Sequence, residues 1–132
     1  MRLWHKNLIP YLPKQQLLGQ WRELNSIYTR RNRHMLINFV YEHNPVMLYC
    51  YSGLVINEMN KRHYHINLNN FFEYFKDIDN CVTFAIDEIY PDKMNDRYLR
   101  QCYYNLEEKY DCGGIPEEEW ERVIKCKHFY NF

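Results

Sequence analysis

The sequence lacks long apolar runs and paired cysteines. No stretch approaches the roughly eighteen apolar residues of a membrane-spanning helix, and no charged start followed by an apolar core marks a signal peptide. The five cysteines are odd in number, widely spaced and without a CxxC pair, which argues against a disulfide framework or a zinc ribbon. We therefore expect a soluble, cytoplasmic protein whose cysteines are buried, reduced thiols.

Motifs for phosphate, metal and acyl-transfer chemistry are also missing. The chain has no phosphate-binding glycine loop, no HExxH and no GxSxG, and its six histidines show no paired spacing that suits a metal. We interpret His34 and His43 as packed or surface residues rather than metal ligands. No repeat, low-complexity run or linker divides the chain, so we expect a single domain over residues 1–132.

Acidic residues are scarce in the first thirty-four positions. This segment holds seven Lys/Arg and one acid, Glu23, for a formal charge of +6. The other ninety-eight residues hold ten Lys/Arg and sixteen acids, for a charge of −6. A net charge of zero therefore hides a polarised molecule, with one face suited to a polyanion and the rest to solubility.

Apolar residues recur at helical spacing directly after the prolines of the opening segment. Residues 14 to about 33 predict an amphipathic helix, because one face carries a regular apolar stripe while Gln20 and Glu23 fall off it. The residues before it are expected to be irregular, since Pro10 and Pro13 each disfavour a helical neighbour. The stripe consists of Leu17, Trp21, Leu24 and Tyr28.

The middle of the chain gives weaker signals. Residues 35–43 fit either a helix or a strand, and we favour a helix. Asn44 followed by Pro45 is a capping residue before a proline tolerated at the first helical position, which predicts a helix to about residue 62. A short helix is expected from Asn69 or Asn70, and residues 81–86, CVTFAI, are the only strand-like passage.

The last third predicts two more helices. One is capped by Asn95 or Asp96 and should end at Gly113–Gly114, where glycine supplies the left-handed conformation that closes many helices. The other begins at Pro116 and places three glutamates near the positive end of its dipole. The expected fold is therefore mainly α, a single compact domain of four or five helices.

The first thirty-four residues resemble a known enzyme family. The opening MRLW, the stretch QQLLGQWREL at residues 15–24 and His34 after a basic run are similar to the pyrimidine-dimer DNA glycosylases, represented by the phage endonuclease specific for ultraviolet damage. The opening MRLWHxxLIPxLPxQQLLGQ is typical of a cellular branch of that family. The similarity is specific over this segment, and the later helices suit the family's three-helix core.

This resemblance implies a bifunctional enzyme that needs no cofactor and acts as a monomer on damaged double-stranded DNA. It would release the base at a pyrimidine dimer and cleave the strand at the abasic site, as a DNA glycosylase with AP lyase activity. The family's nucleophile is the α-amino group of the mature N-terminal residue, which forms a Schiff base with C1′. At neutral pH roughly a tenth to a quarter of such an amine is unprotonated, against fewer than about one lysine in a thousand.

In this chain the nucleophilic amine falls on Met1. The size of the neighbouring Arg2 predicts that the methionine is retained, and we assign a phosphate contact to Arg2 itself. The phage-type enzyme instead loses its methionine and exposes a threonine. An intact mass showing removal of Met1 would move the amine to Arg2.

Glu23 matches the essential carboxylate of the family. A carboxylate there can stabilise positive charge on the sugar as the base leaves and can transfer protons during ring opening and elimination. The alternative is a solvated Arg22–Glu23 pair on a helix surface. The matching N-terminus, and the position of Glu23 as the lone acid in a basic segment, favour the catalytic interpretation.

Further residues are assigned to DNA binding. Gln15 and Arg22 match family positions that contact DNA. A cluster of arginines at the end of the predicted helix adds positive charge for phosphate binding, although a solvated helix end would also explain cations there. Gln16 and Ser26 stand where the phage-type sequence has His and Arg, which implies fewer phosphate contacts and weaker, less salt-dependent binding. The cluster consists of Arg30, Arg31 and Arg33.

The basic, aromatic tail is a candidate second contact. Lys125 and Lys127 supply charge, and the aromatic residues beside them could stack on an exposed base. A disordered tail without a function is the alternative. The tail aromatics are His128, Phe129 and Tyr130.

Two other functions fit the same residues. A non-catalytic module could bind nucleic acid or protein through the basic helix, with the N-terminus as ordered structure only. An enzyme with the same amine chemistry could instead act on a modified base or nucleoside other than a pyrimidine dimer. Reduction with borohydride separates the enzymes from the binder, because only an enzyme using an amine is trapped on abasic DNA.

Overall fold

The computed structural model describes residues 2–78 and 83–132, and all regular secondary structure in this part of the chain is helical. The five α-helices are α1 (Lys14–Arg30), α2 (Pro45–Lys61), α3 (Asn69–Tyr74), α4 (Asp96–Asp111) and α5 (Glu117–Phe129). Three short 3-10 helices span Lys6–Tyr11, Asn38–Tyr41 and Ile86–Glu88. The predicted mainly α fold with four or five helices is confirmed.

Helix α1 begins at the predicted residue and ends earlier than expected. Arg31 adopts a left-handed conformation with φ of 50°, which stops the helix before the end of the basic run. Pro13 occupies the N-cap position of α1, and its side chain makes no capping hydrogen bond. The backbone N–H of Lys14 instead donates to Oε1 of Glu119 at 2.6 Å, so α5 supplies the acceptor that α1 lacks.

The opening segment is ordered, contrary to the expectation of irregular structure. Residues Lys6–Tyr11 form a 3-10 helix that contains Pro10, and the side chain of His5 caps it by accepting from the N–H of Asn7 at 3.0 Å. A short 3-10 turn tolerates Pro10 because few of its N–H groups are needed for internal hydrogen bonds. The segment contacts α2, α4 and α5, so the first residues of the chain belong to the core.

Helix α2 starts as the sequence predicts. Asn44 caps it by accepting from the N–H of Val46 at 3.0 Å, and Pro45 occupies the first turn. The helix preferred for residues 35–43 is wrong in extent, because only Asn38–Tyr41 form a 3-10 turn there. The short helix expected from Asn69 is confirmed as α3.

The strand-like passage at residues 81–86 gives no strand in the described part. Residues 81 and 82 lie outside the described residues, 83–85 are irregular, and Ile86 begins a 3-10 helix. The last two helices agree with their signals. Asn95 caps α4 by accepting from the N–H of Tyr98 at 2.9 Å, and Gly113 follows the helix with φ of 81°.

Four long helices and the opening segment contribute to one hydrophobic core in the described residues. Helix α1 packs against α2 and α3, and α4 packs against α5. The prediction of buried cysteines is right for Cys102 and Cys126 and wrong for Cys112, which is exposed, while Cys50 is half-buried and Cys81 lies outside the described residues. No helix of the described residues has the length and apolarity needed to cross a bilayer.

Candidate active site

The first residues of the chain, α1 and α4 enclose a small polar cleft of about 240 Å³. Glu23 and Arg2, which the sequence singles out, both line it, and Gln15 lies at its exposed edge. Residues far apart in sequence therefore share one cleft. The lining residues are Arg2, Trp4, Gln15, Gln16, Gly19, Gln20, Glu23 and Lys109.

Glu23 is half-buried, and the described residues give it none of the partners that a structural carboxylate would have. Its Oε1 atom is buried and accepts no hydrogen bond from residues 2–78 or 83–132, and no ion pair joins it to Arg22 in that part of the chain. Burial raises the pKa of the Glu23 carboxyl, and the nearby His34 partly opposes this effect. The solvated Arg–Glu pair is therefore not what the described residues form.

A second acceptor in the cleft is also unsatisfied. Oε1 of Gln16 is buried without a hydrogen-bond partner among the described residues, as Oε1 of Glu23 is. Buried polar atoms are nearly always paired in folded proteins, so each exception calls for an explanation such as a bound water, an ion or a catalytic role. The cleft therefore presents two oxygen acceptors to a donor such as an amine or a hydroxyl.

Buried side chains hold the backbone of residues 2–4 against the cleft wall. Gln20 of α1 donates to the carbonyl of Arg2 at 3.2 Å and accepts from the N–H of Trp4 at 2.7 Å. The hydroxyl of Tyr51 in α2 donates to the carbonyl of Trp4 at 2.6 Å. Three helices take part, since the hydroxyl of Tyr98 in α4 donates to the carbonyl of residue 3 at 2.5 Å.

The guanidinium of Arg2 is also held in place. It lies 5.4 Å from the centre of the Trp4 ring, and its Nη1 donates to Sγ of Cys102 in α4 at 3.7 Å. These contacts keep a positive charge at the cleft. Met1, the predicted nucleophile, lies outside the described residues, so its assignment stays a prediction.

The predicted DNA contacts are spread along α1. Arg22 is exposed beside Glu23, whereas Arg30 lies eight residues after Arg22, about 12 Å along the helix axis. Beyond the end of α1, Arg31 and Arg33 lie 5.5 and 4.6 Å from the centre of the Tyr41 ring. The exposed arginines thus form a basic track that leads away from the cleft.

The basic tail is not brought to the cleft. Lys125 is exposed, and Lys127 lies 5.6 Å from the centre of the Tyr103 ring, about two turns along α4 from Lys109. Phe132 packs against Tyr103 at a ring distance of 5.3 Å, so the tail is folded onto α4 rather than disordered. The exposed His128, Phe129 and Tyr130 make a separate surface.

One basic residue of the opening segment does not belong to any exposed positive face. Lys6 is buried, donates to the carbonyl of Ile89 at 2.7 Å, and has a lowered pKa because of burial. It borders a larger groove of about 580 Å³ formed with α2 and Ile86. Glu23 does not line that groove, and the volume of the groove does not by itself indicate a function.

Sequence reasoning missed four residues of this site. Gln20 lies outside the apolar stripe predicted for α1, yet its side chain is only 1% exposed and points inward. Its spacing of three after Leu17 and four before Leu24 was the available signal, since those positions share a helix face. Tyr51, Tyr98 and Lys109 come from later helices, and no local pattern relates them to the N-terminus.

No group of three or more His, Cys, Asp or Glu side chains that could hold a metal ion is found within the described residues. The chemistry available in the cleft is that of a desolvated carboxylate, amide groups and two cations. Such a set can stabilise a positive charge and transfer protons.

Comparison with known proteins gives one match. A family model described as pyrimidine dimer DNA glycosylase matches residues 1–71, which include the start of the chain, α1 and α2 and thus most of the cleft. No curated protein and no solved structure gives a significant match. The family model covers more than half of the 132 residues and agrees with the resemblance seen in the opening segment. The chain therefore belongs to the pyrimidine dimer DNA glycosylase family, whose members are DNA repair enzymes.

Proposed function

We propose that this protein is a DNA glycosylase with AP lyase activity, that the α-amino group of Met1 is its nucleophile, and that Glu23 is its acid–base residue. Its substrate is damaged double-stranded DNA, at a pyrimidine dimer or an abasic site, and it acts as a monomer. The observation that carries this proposal is Oε1 of Glu23, which is buried without a hydrogen-bond partner in residues 2–78 and 83–132 and lies in a cleft that Arg2 also lines. A cation at that oxygen would complete the site.

The proposed reaction first replaces the bond from C1′ to the base and then opens the bond from C1′ to the ring oxygen. Elimination across C2′ and C3′ follows. The lone pair of the amine attacks C1′, the glycosidic bond breaks, and the base leaves with the bonding electrons and takes up a proton. The nitrogen then loses a proton, and its lone pair expels the ring oxygen O4′, which takes up a proton. This ring opening gives the protonated Schiff base. Removal of a C2′ proton then expels the 3′ phosphate by β-elimination, and hydrolysis of the imine frees the amine.

Glu23 supplies charge stabilisation and proton transfer for the reaction of the terminal amine. As a carboxylate it stabilises the positive charge that develops at the sugar and on the iminium nitrogen. Because burial raises its pKa, the same group is a better proton carrier near neutral pH than an exposed glutamate. Both roles require an oxygen that no protein group occupies, as is found for Oε1 among the described residues.

DNA is bound by the exposed cations and amides around the cleft. Arg2, Gln15 and Arg22 contact the strand that carries the lesion, and the basic track continues along the duplex backbone. At about 240 Å³ the cleft is smaller than a typical ligand pocket of roughly 300 Å³ or more, so it accepts the sugar rather than a whole base pair. The track is formed by Arg30, Arg31 and Arg33, with Lys125 and Lys127 as a second surface.

A lesion is recognised through deformability. A damaged site that stacks poorly lowers the cost of kinking the duplex and extruding a nucleotide, which is of the order of a few kcal/mol. The sugar of that site can then approach the cleft. Lesion choice therefore depends on the energy of distortion as well as on direct contacts.

Borohydride trapping on duplex DNA with one abasic site tests the proposal. The wild type should form a covalent adduct, and Glu23→Gln should bind the duplex with similar affinity while adduct formation falls by about 100-fold or more. On a second duplex that carries a pyrimidine dimer, base release by Glu23→Gln should fall to a similar extent. Glu121→Gln, which changes an exposed glutamate of α5, is the matched control and should behave as the wild type.

Two results would count against this function. A wild type that binds abasic DNA without forming any adduct would indicate the non-catalytic module. Unchanged turnover in a folded Glu23→Gln variant would remove Glu23 from the mechanism. A panel of duplexes with pyrimidine dimers, abasic sites and other modified bases then identifies the lesion.

A further inference from the structure

Gln20 makes a two-point contact with the start of the chain. Its side-chain amide uses both of its ends, the nitrogen on the carbonyl of Arg2 and the oxygen on the N–H of Trp4. Two such contacts, to residues 2 and 4, fix the orientation of this backbone as well as its position. The side chain is 1% exposed, and its contact with the N–H of Trp4 is buried.

Tyr51 fixes the orientation of the Gln20 amide. Its fully buried hydroxyl lies 2.6 Å from the carbonyl oxygen of Trp4 and 2.9 Å from Oε1 of Gln20. One hydroxyl proton is shared between these two acceptors. An amide rotated by half a turn would present its N–H₂ group to the N–H of Trp4, which the network disfavours.

The same helix carries Gln20 and Glu23. Residues three apart lie on neighbouring positions of one helix face, with about 5–6 Å between their Cβ atoms. Helix α1 therefore holds the backbone of residues 2–4 through Gln20 and presents the cleft carboxylate through Glu23. Movement of α1 displaces both together, so their separation is kept.

A purely structural role would also require partners for these backbone groups, because an extended segment in a core must satisfy its N–H and C=O groups. The location of these contacts indicates a role beyond satisfying backbone hydrogen bonds. They hold the peptide groups that directly follow the N-terminal residue, at the edge of the cleft that contains Glu23. Chain ends that are not held in this way fray.

We propose that Gln20 is a positioning residue for the Schiff-base reaction and that Tyr51 acts through it. By holding the backbone at Arg2 and Trp4, Gln20 fixes the distance between the terminal amine and Glu23. This inference rests on the proposed function of the Met1 amine. Without Gln20 the protein binds DNA as before, but the amine is no longer held in line with C1′.

The test is single-turnover trapping on an abasic duplex, with enzyme in excess over a range of concentrations and well below the Tm of every variant. Gln20→Met keeps the length of the side chain and removes both hydrogen bonds. Tyr51→Phe removes one hydroxyl and keeps the ring. Tyr28→Phe is the matched control, because it removes a buried hydroxyl that bonds Ser52 away from residues 2–4.

We expect the rate constant at saturating enzyme to fall roughly 10- to 100-fold in Gln20→Met, since a displacement of about 1 Å can cost 100-fold. Tyr51→Phe should show a smaller fall in the same direction. The concentration of half-saturation should stay unchanged, and Tyr28→Phe should trap at the wild-type rate. If Gln20 had only a structural role, Gln20→Met would lower Tm. It would not lower the rate constant at saturating enzyme while leaving the concentration of half-saturation unchanged.

The outcomes separate the two proposals. If the wild type gives no adduct, the proposed function fails and the positioning role fails with it. If the wild type is trapped through its terminal amine and folded Gln20→Met keeps the wild-type rate, the positioning role alone is overturned. If Gln20→Met does not fold, Tyr51→Phe decides, and a rate equal to that of Tyr28→Phe overturns the role.

Discussion

At the scale of single residues, position 23 carries a half-buried carboxylate whose Oε1 is withheld from water without a compensating partner in the described residues. Burial raises the pKa of Glu23, so folding favours its protonated form. The native state therefore carries a cost at every pH above that raised pKa. The cost falls as pH is lowered toward the unfolded value of about 4.3, where both states take up the proton.

Glu23→Gln should therefore be more stable than the wild type at neutral pH. We expect Tm to rise by roughly 1–3 °C at pH 7.5, because an isosteric neutral side chain avoids burying charge, and the gain should vanish below about pH 4. Thermal melts of both proteins at pH 7.5, 5.5 and 4 measure this. A variant less stable than the wild type at pH 7.5 would show that the carboxylate has a structural partner.

His5 predicts a second pH effect, in the opposite direction. Burial lowers its pKa from 6.5 to about 4, so between these values the unfolded chain binds a proton that the folded protein does not. The free energy of unfolding should fall as pH is lowered from 6.5 to 4, by an amount of the order of 2–3 kcal/mol. His5→Asn keeps an acceptor for the N–H of Asn7 and should lose this dependence.

Urea unfolding of the wild type and of His5→Asn at pH 7.5, 6 and 5 tests that expectation. His63→Asn, at an exposed position, is the control and should follow the wild type. Parallel pH profiles for the wild type and His5→Asn would mean that the imidazole is hydrated in the folded protein.

The residue scale also shows what local sequence can reveal. Glu23 was identified because charge patterning isolates it as the only acid in a basic segment, a property that needs no structure. Gln20 was not identified, because its importance comes from Arg2, Trp4 and Tyr51, which meet it only in the folded protein. A polar residue at a core position of a helix was the one available sign.

At the scale of elements, α1 depends on α5 for its first turn. The N–H of Lys14 donates to Glu119, and a carboxylate at a helix N-terminus also interacts with the dipole. Glu119→Ala should lower the free energy of unfolding by about 1 kcal/mol. Glu118→Ala removes a charge from the same turn of α5 and is the control.

Urea unfolding at low ionic strength measures the difference between these two variants. The loss in Glu119→Ala should exceed that in Glu118→Ala, because both weaken the start of α5 while only one uncaps α1. Equal losses would show that the contact with Lys14 does not stabilise the protein.

Element boundaries were predictable where the signal is local. Asn44 and Pro45 locate the start of α2 because a cap acts within one turn. Residues 35–43 were assigned to a helix and form only a short 3-10 turn, since a brief apolar run has no decisive period. The ordered 3-10 helix Lys6–Tyr11 was missed because its stability comes from packing against α2, α4 and α5.

At the scale of the whole molecule, the charge asymmetry is partly retained on the surface. Lys6 is withdrawn into the core, whereas the arginines at the end of α1 are exposed. The overall fold class followed from periodicity along the sequence. Arg2 and Glu23 were expected at one site because of the family resemblance, and both line the cleft. The place of Lys109 beside them did not follow from the sequence, because it depends on how α4 packs against the opening segment.

The salt dependence of DNA binding tests the basic track. Arg30→Gln combined with Arg33→Gln should weaken binding to an abasic duplex and reduce the slope of log K against log salt by about 1.8, as expected for two lost phosphate contacts. Arg97→Gln combined with Arg100→Gln changes two exposed arginines of α4 and should leave the slope unchanged. Equal slopes for both double variants would place the DNA elsewhere.

The identity of the amine that reacts with DNA is the most direct test of the whole account. Borohydride-reduced adduct formed on abasic duplex is digested, and the modified peptide is located by mass spectrometry. We expect the adduct on the α-amino group of Met1, and prior acetylation of this amine should abolish trapping. An adduct on a lysine side chain, or trapping that survives acetylation, would contradict this expectation.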